Sequence, residues 1–286
     1  MGDNLPVKST DNKSRRFTRL KRLSGWRRVA IGMWGRPSDP TIYGELDLNT
    51  EKVLQLMKDI RETHDVKISP MHVFLKSVGD MFREFPEFNV MLRRSRFYQR
   101  ATADVFLQVA IQEGKGDLGG IKIAEVDRKT LVDLSREIFS RAERVRARQD
   151  KDLERTKRSM SGLPPLLMPF AVRLTDILSN DLGINLSFIG LKPDAWGGAM
   201  VTNIGSFGLQ HGYAPLVPAT RTPALFTVGA IRDMPVAEDG QVVVKPMMKV
   251  TGTFDHRVFD GFQVAKIVNH VVDRFENPEW MWNELQ

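Results

Sequence analysis

The chain has 286 residues and no cysteine. Disulfides, thiolate metal sites and a cysteine nucleophile are therefore excluded, so no acyl group can rest on a thiol of the protein itself. Lack of cysteine also fits a reducing cytoplasm. No apolar run reaches the ~20 residues that a bilayer-spanning helix needs. The longest candidate, 161–196, is interrupted by Pro169, Arg173 and Asp176. Acid is missing from one stretch: between Lys13 and Arg28 the charged residues are Lys13, Arg15, Arg16, Arg19, Lys21, Arg22, Arg27 and Arg28. This segment has too little apolar length for a secretory signal. It reads as a basic, solvated N-terminal arm over residues 1–24, disordered or dependent on a partner. Nucleic acid, anionic lipid and an acidic protein surface are its chemical complements.

Residues 25–286 read as the folded domain, with a sizeable core, 161–196 being an apolar insertion in it. Hydrophobic residues make up 42% of the chain and charged residues 27%, with a net charge of +7, a composition typical of globular proteins. Ile42, Leu46 and Leu48 alternate as in a strand over 41–48. Val53, Leu56, Met57 and Ile60 share one face of a helix over 50–63. Ser69-Pro70 supplies an N-cap and a first-turn proline for a helix that ends at Pro86. His72 lies in that helix and reads as structural. A central strand is expected over 104–112. Gly114, Gly116, Gly119 and Gly120 then read as a turn; no lysine–serine pair follows at nucleotide-binding spacing. One long helix is expected from Asp127 to about Met160, its second half a solvated face of mixed charge. Strands over 224–231 and 241–244 flank a hairpin turn at Glu238-Asp239-Gly240. Together these predict a mixed α/β chain, with helices on a largely antiparallel sheet.

The most informative stretch is Thr253-Phe254-Asp255-His256-Arg257-Val258-Phe259-Asp260-Gly261. An apolar strand precedes it. Behind it Val264, Ile267, Val268, Val271, Val272 and Phe275 mark a helix. Two readings fit this spacing. His256 is a proton-transfer group on a loop held by a strand and a helix. Alternatively Asp260 and Gln263 form a capping box, Asp255 and Arg257 an ion pair, and His256 is structural.

This string resembles the active-site signature of the dihydrolipoyl acyltransferases of 2-oxoacid dehydrogenase complexes, in the chloramphenicol-acetyltransferase-like superfamily. Met200-Val201-Thr202-Asn203-Ile204-Gly205-Ser206-Phe207-Gly208 is similar to that family's strand and turn bearing a hydroxyl residue. Pro86-Glu87-Phe88-Asn89, Gly119-Gly120-Ile121 followed by 127–131, and Glu276-Asn277-Pro278-Glu279 fall in family order. Arg27-Arg28-Val29-Ala30-Ile31 occupies the place of the basic pair that opens the catalytic domain.

The resemblance implies a two-layer sandwich of that superfamily, a mixed sheet with packed helices, forming a homotrimer or larger homo-oligomer. It implies acyl transfer between coenzyme A and dihydrolipoamide or another thiol acceptor, without a metal. His256 would be the general base and Thr202 the oxyanion donor. Asp260 is counted with the catalytic residues, holding the loop through an arginine such as Arg27 or Arg28. Histidine and hydroxyl donor are expected from different subunits. No lysine in an acidic-Lys-Ala turn is present, which leaves two expectations: a lipoylated protein supplied in trans, or a stand-alone transferase using coenzyme A and another acceptor. Specific nucleic-acid recognition is not expected. The alternative function is a non-catalytic trimeric scaffold that retains the fold. For 161–196, which departs from the family pattern, three roles are ranked: cover for a hydrophobic surface, lid over an acyl pocket, and interfacial membrane contact.

Overall fold

The computed structural model of the chain describes residues 24–26, 28–29, 39–110, 118–191 and 194–283. It divides into two units, Met1–Asp39 and Pro40–Gln286. Of the segment Arg27-Arg28-Val29-Ala30-Ile31, Arg27, Ala30 and Ile31 lie outside the described residues, as do Gly114 and Gly116.

In the larger unit β1 (Thr41–Asn49) leads to α1 (Glu51–His64) and α2 (Pro70–Glu84). A small hairpin follows, β2 (Val90–Arg93) and β3 (Arg96–Gln99), and then β4 (Val105–Ala110) and β5 (Leu118–Ile123). Next come α3 (Leu131–Arg146), α4 (Lys151–Ser161) and α5 (Met168–Asp176). The chain closes with β6 (Ala199–Asn203), β7 (Ala224–Glu238), β8 (Gln241–Asp255), α6 (Gly261–Glu276) and α7 (Trp280–Asn283).

Six strands form one mixed sheet in the order β1-β8-β7-β6-β4-β5. β6 runs parallel to β4 and β7; the other three pairings are antiparallel. Alternation sorts the side chains. Val105, Leu107, Val201, Phe226, Val228 and Val250 join the core with Val53, Phe74, Val78, Leu134 and Ile267 from the helices. The apolar spacing of α1, α2, α3 and α6 thus places one stripe of each against the sheet. The opposite sheet face meets irregular backbone from 204–221. There Gln210 passes so close to Gly229 that a Cβ would lie 1.8 Å from its carbonyl oxygen. A register shift between Val228 and Ile231 marks a bulge at this point.

Two expectations change. Gly119 and Gly120 belong to β5, not to a turn. Gly120 pairs with Gln108, and a Cβ there would sit 2.2 Å from the Phe106 ring, which stacks on Trp196 at 4.4 Å. The glycine makes room for an aromatic pair, a reason visible only once strands are paired. The single helix of 127–160 is two helices, separated at Ala147–Asp150, where Arg148 adopts a left-handed φ of 55°. Thr130 caps the first, accepting from the Asp133 amide at 3.1 Å. The hairpin turn lies where expected, with Asp239 and Gly240 both at positive φ. Among the described residues no helix is long and apolar enough to cross a membrane.

Candidate active site

β8 ends at Asp255, and the seven-residue string up to Gly261 folds into a tight connection to α6. The Val258 and Phe259 amides both donate to the Asp255 carbonyl at 2.9 Å. The Asp255 amide donates to the Pro223 carbonyl at 2.9 Å, and the His256 amide to that of Pro40 at 2.8 Å. Phe259 is fully buried between the rings of Phe88 and Phe254, at 5.7 and 5.5 Å. This packing fixes the direction of its carbonyl.

That carbonyl decides the chemistry of His256. His256 Nδ1 lies 2.9 Å from the Phe259 oxygen. A carbonyl oxygen only accepts, so the proton is assigned to Nδ1 and the lone pair to Nε2. The ring is exposed. An exposed imidazole with its rear nitrogen held and its front nitrogen unprotonated is configured to accept a proton.

The neighbouring acids behave as local geometry suggests. Asp260 is the N-cap of α6, accepting from the Phe262 and Gln263 amides at 2.8 and 3.2 Å. The Gln263 side chain completes the box by accepting from the Asp260 amide at 2.8 Å. Asp255 binds Arg257 bidentately, with contacts at 2.9 and 2.6 Å, and raises the Arg257 pKa by hydrogen bonding. Capping box and ion pair are therefore both present, and the histidine that precedes them in the loop is exposed. The expected partner Arg27 lies outside the described residues, and Arg28 belongs to the other unit.

Thr202 occupies the fourth position of β6, half-buried, in register with Thr227 of β7 and Thr251 of β8. Val201, Val228 and Val250 face the helices, so this row of threonines faces the other way. Thr251 donates to the Gly212 carbonyl. The buried hydroxyl of Thr227 has no hydrogen-bond partner among the described residues. Nothing in sequence singles out this row except a hydroxyl residue in each of three apolar strands.

His256 and Thr202 are not brought together within one chain. His256 stands five residues beyond Thr251 on β8, and Thr202 is two strands away. At ~3.3 Å per residue and ~4.8 Å per strand, their separation is on the order of 20 Å. No group of three or more histidine or acidic residues among the described residues is arranged to hold a metal ion.

Comparisons with known proteins give this geometry a context. The family model of the 2-oxoacid dehydrogenases acyltransferase (catalytic domain) matches residues 27–161 and 192–282. The dihydrolipoyllysine-residue succinyltransferase component of the 2-oxoglutarate dehydrogenase complex of Haemophilus influenzae is 22% identical over 249 residues. That alignment covers 86% of this chain and 50% of the relative, so the chain spans about half the length of this curated relative. Among solved structures, the cubic core of the pyruvate dehydrogenase multienzyme complex superposes with a TM-score of 0.63 at 16% identity, covering 97% of this chain and 99% of that one. Dihydrolipoamide acetyltransferase of Azotobacter vinelandii gives a TM-score of 0.63 at 17% identity, with the same coverage of 97% and 99%. These structural likenesses bear out the sandwich fold. With the family model spanning both the His256 loop and the Thr202 strand, the chain belongs to the family of 2-oxoacid dehydrogenase acyltransferase catalytic domains.

Proposed function

We propose that the chain is a coenzyme A-dependent acyltransferase that moves an acyl group between thiols, with His256 as general base and Thr202 as oxyanion donor. The observation that carries this reading is the Nδ1 contact with the Phe259 carbonyl, which leaves Nε2 as the basic nitrogen of an exposed ring. A thiol has a pKa near 8.5, so a neutral imidazole can take its proton as sulfur attacks. In the direction away from coenzyme A, the acceptor S–H proton passes to Nε2 while sulfur bonds to the thioester carbon. The carbonyl oxygen becomes an oxyanion, to which the Thr202 hydroxyl donates. Collapse breaks the bond to the coenzyme A sulfur, and the imidazolium returns its proton to that leaving thiolate. No acyl-enzyme is needed.

The acceptor proposed is dihydrolipoamide. The large separation of His256 and Thr202 supports a site built by two subunits of a homotrimer, one supplying each residue. Asp260 then acts through the backbone, holding the end of the loop as it caps α6.

The test is acyl transfer from acetyl-coenzyme A to dihydrolipoamide by His256→Ala, Thr202→Ala and an equal mixture refolded together. Loss of an oxyanion donor typically lowers turnover by about 10²–10³. In a closed cyclic assembly with random mixing, roughly a quarter of the sites recover an intact pair. Recovery confined to the co-refolded sample supports the shared site. Demonstrably mixed oligomers without activity rule it out. If the unmodified protein neither binds coenzyme A nor transfers acyl groups, the scaffold reading replaces the enzyme.

A further inference from the structure

The family match passes over residues 162–191, and eight large apolar side chains of this stretch are exposed. α5 continues as a π-helical turn over Ile177–Asp181. Leu167, Phe170, Leu174 and Ile177 follow each other at three- and four-residue spacing along it, which places them on one face. All are exposed, Phe170 at 71%. Leu166 and Phe188 protrude further, at 82% and 73%, with Leu182 and Ile184 also exposed.

The opposite face of the same helix is tied down. Arg221 donates to Asp176 at 2.9 and 2.7 Å and to Asp181 at 3.3 Å. Arg93 donates to the Asn180 carbonyl, and the Asn180 amide to Asp176 at 2.9 Å. Both acids of 162–191 are thus paired on the body side with Arg221, and Asp194, the third acid of the insertion, pairs with Arg100. Two arginines of this region are exposed. Arg173 flanks the stripe on the helix and is exposed. Arg155 of α4, also exposed, reaches the Ser187 carbonyl at 3.1 Å, beside Phe188.

We propose that this face binds an anionic lipid surface, inserting Leu166, Phe170, Leu174 and Phe188 among the acyl chains while Arg155 and Arg173 meet the headgroups. Protruding large apolar side chains rimmed by arginine are the chemistry of an interfacial helix, not of a spanning one. Charge complementarity selects lipid over a second copy of the same face. Two such faces apposed about a twofold axis bring cationic rims together, with no unpaired carboxylate in either insertion to offset them. The basic stretch from Lys13 to Arg28, interleaved with Phe17, Leu20, Leu23 and Trp26, independently carries the same complement in sequence. Two weak signals are what reversible membrane attachment ordinarily requires. This reading reverses the ranking drawn from sequence, where membrane contact came last, and does not depend on the acyl-transfer proposal.

The experiment is cosedimentation of the full chain with phosphatidylcholine vesicles, with and without phosphatidylserine, at low salt. Expected is binding to the phosphatidylserine vesicles, with Phe170→Ser lowering partitioning about tenfold or more and Arg173→Glu lowering it roughly tenfold. Both side chains are exposed, so the thermal midpoint of each variant should match the parent. If the parent protein stays in solution with both vesicle types, the proposal is overturned. If in that case Phe170→Ser reduces the sedimentation coefficient, a second copy is the occupant. Binding that survives Phe170→Ser combined with Phe188→Ser but vanishes on removal of residues 1–24 also overturns it, assigning attachment to the arm alone.

Discussion

Two helix entrances in this protein each carry a histidine, and the two rings are wired in opposite senses. At the start of α2, His72 Nδ1 accepts from the Ser69 amide at 3.1 Å and lies 2.7 Å from the Ser69 hydroxyl. At the start of α6, His256 Nδ1 donates to the Phe259 carbonyl. The first ring is buried at the third helical position, with its proton on Nε2; burial lowers its pKa to about 4. The second precedes its cap, is exposed, and keeps its lone pair on Nε2. Residue type is the same. What differs is whether the backbone partner gives or takes a hydrogen bond, and whether water reaches the ring. One arrangement closes a helix end; the other leaves a ring nitrogen open to solvent.

The largest test of this contrast is replacement of the exposed ring. His256→Ala should lower acyl transfer by about 10²–10⁴, the usual contribution of a positioned acid–base group. Its thermal midpoint should stay close to the parent's, because an exposed ring adds little to the core. A variant with parental turnover would remove the catalytic assignment. One that fails to fold would place His256 in the same class as His72.

The buried ring makes the converse prediction about pH. In the unfolded chain His72 takes up its proton near 6.5, and in the folded chain near 4. The unfolded state therefore binds more protons between these values, and stability falls as pH drops through that window. The full effect is about 3 kcal/mol by pH 4. His72→Asn has no titrating ring, so urea denaturation of parent and variant should converge as pH falls from 7 to 4. Curves separated by a constant interval across that range would show that the ring is not held neutral.

The smallest effect concerns the caps. Asp260→Ala should cost about 1 kcal/mol through loss of the amide contacts at the start of α6, and Asp260→Asn distinctly less. The measurement is equilibrium unfolding alongside acyl transfer. If Asp260→Asn keeps stability but loses transfer, the carboxylate charge acts on the site beyond its capping role.

Much of this was legible in sequence because it is local. The Ser69-Pro70 start of α2, the Asp260–Gln263 box and the stripe from Val264 to Phe275 rest on spacings within two turns of helix. The turn at Asp239-Gly240 was readable for the same reason, since few residues tolerate positive φ in succession. Failures came where distant segments decide. Gly120 resembled a turn residue until pairing placed Phe106 and Trp196 beside it. The break after Arg146 was hidden because charged residues continue without proline or glycine across it. In the insertion the apolar residues were visible, but not that Arg221 fastens its acids inward and leaves those side chains outward.

By itself, then, the sequence determined that a histidine sits on a strand-to-helix connection, that a threonine lies in an apolar strand, and that no cysteine takes part. Side-chain chemistry and short-range periodicity suffice for those statements. Only the tertiary structure decided which imidazole nitrogen carries the proton, because packing of Phe259 against Phe88 and Phe254 aims the carbonyl that settles it. Strand register alone separated His256 from Thr202. Both outcomes depend on contacts between residues far apart in the chain, whose distances are fixed by the core as a whole and by no local pattern.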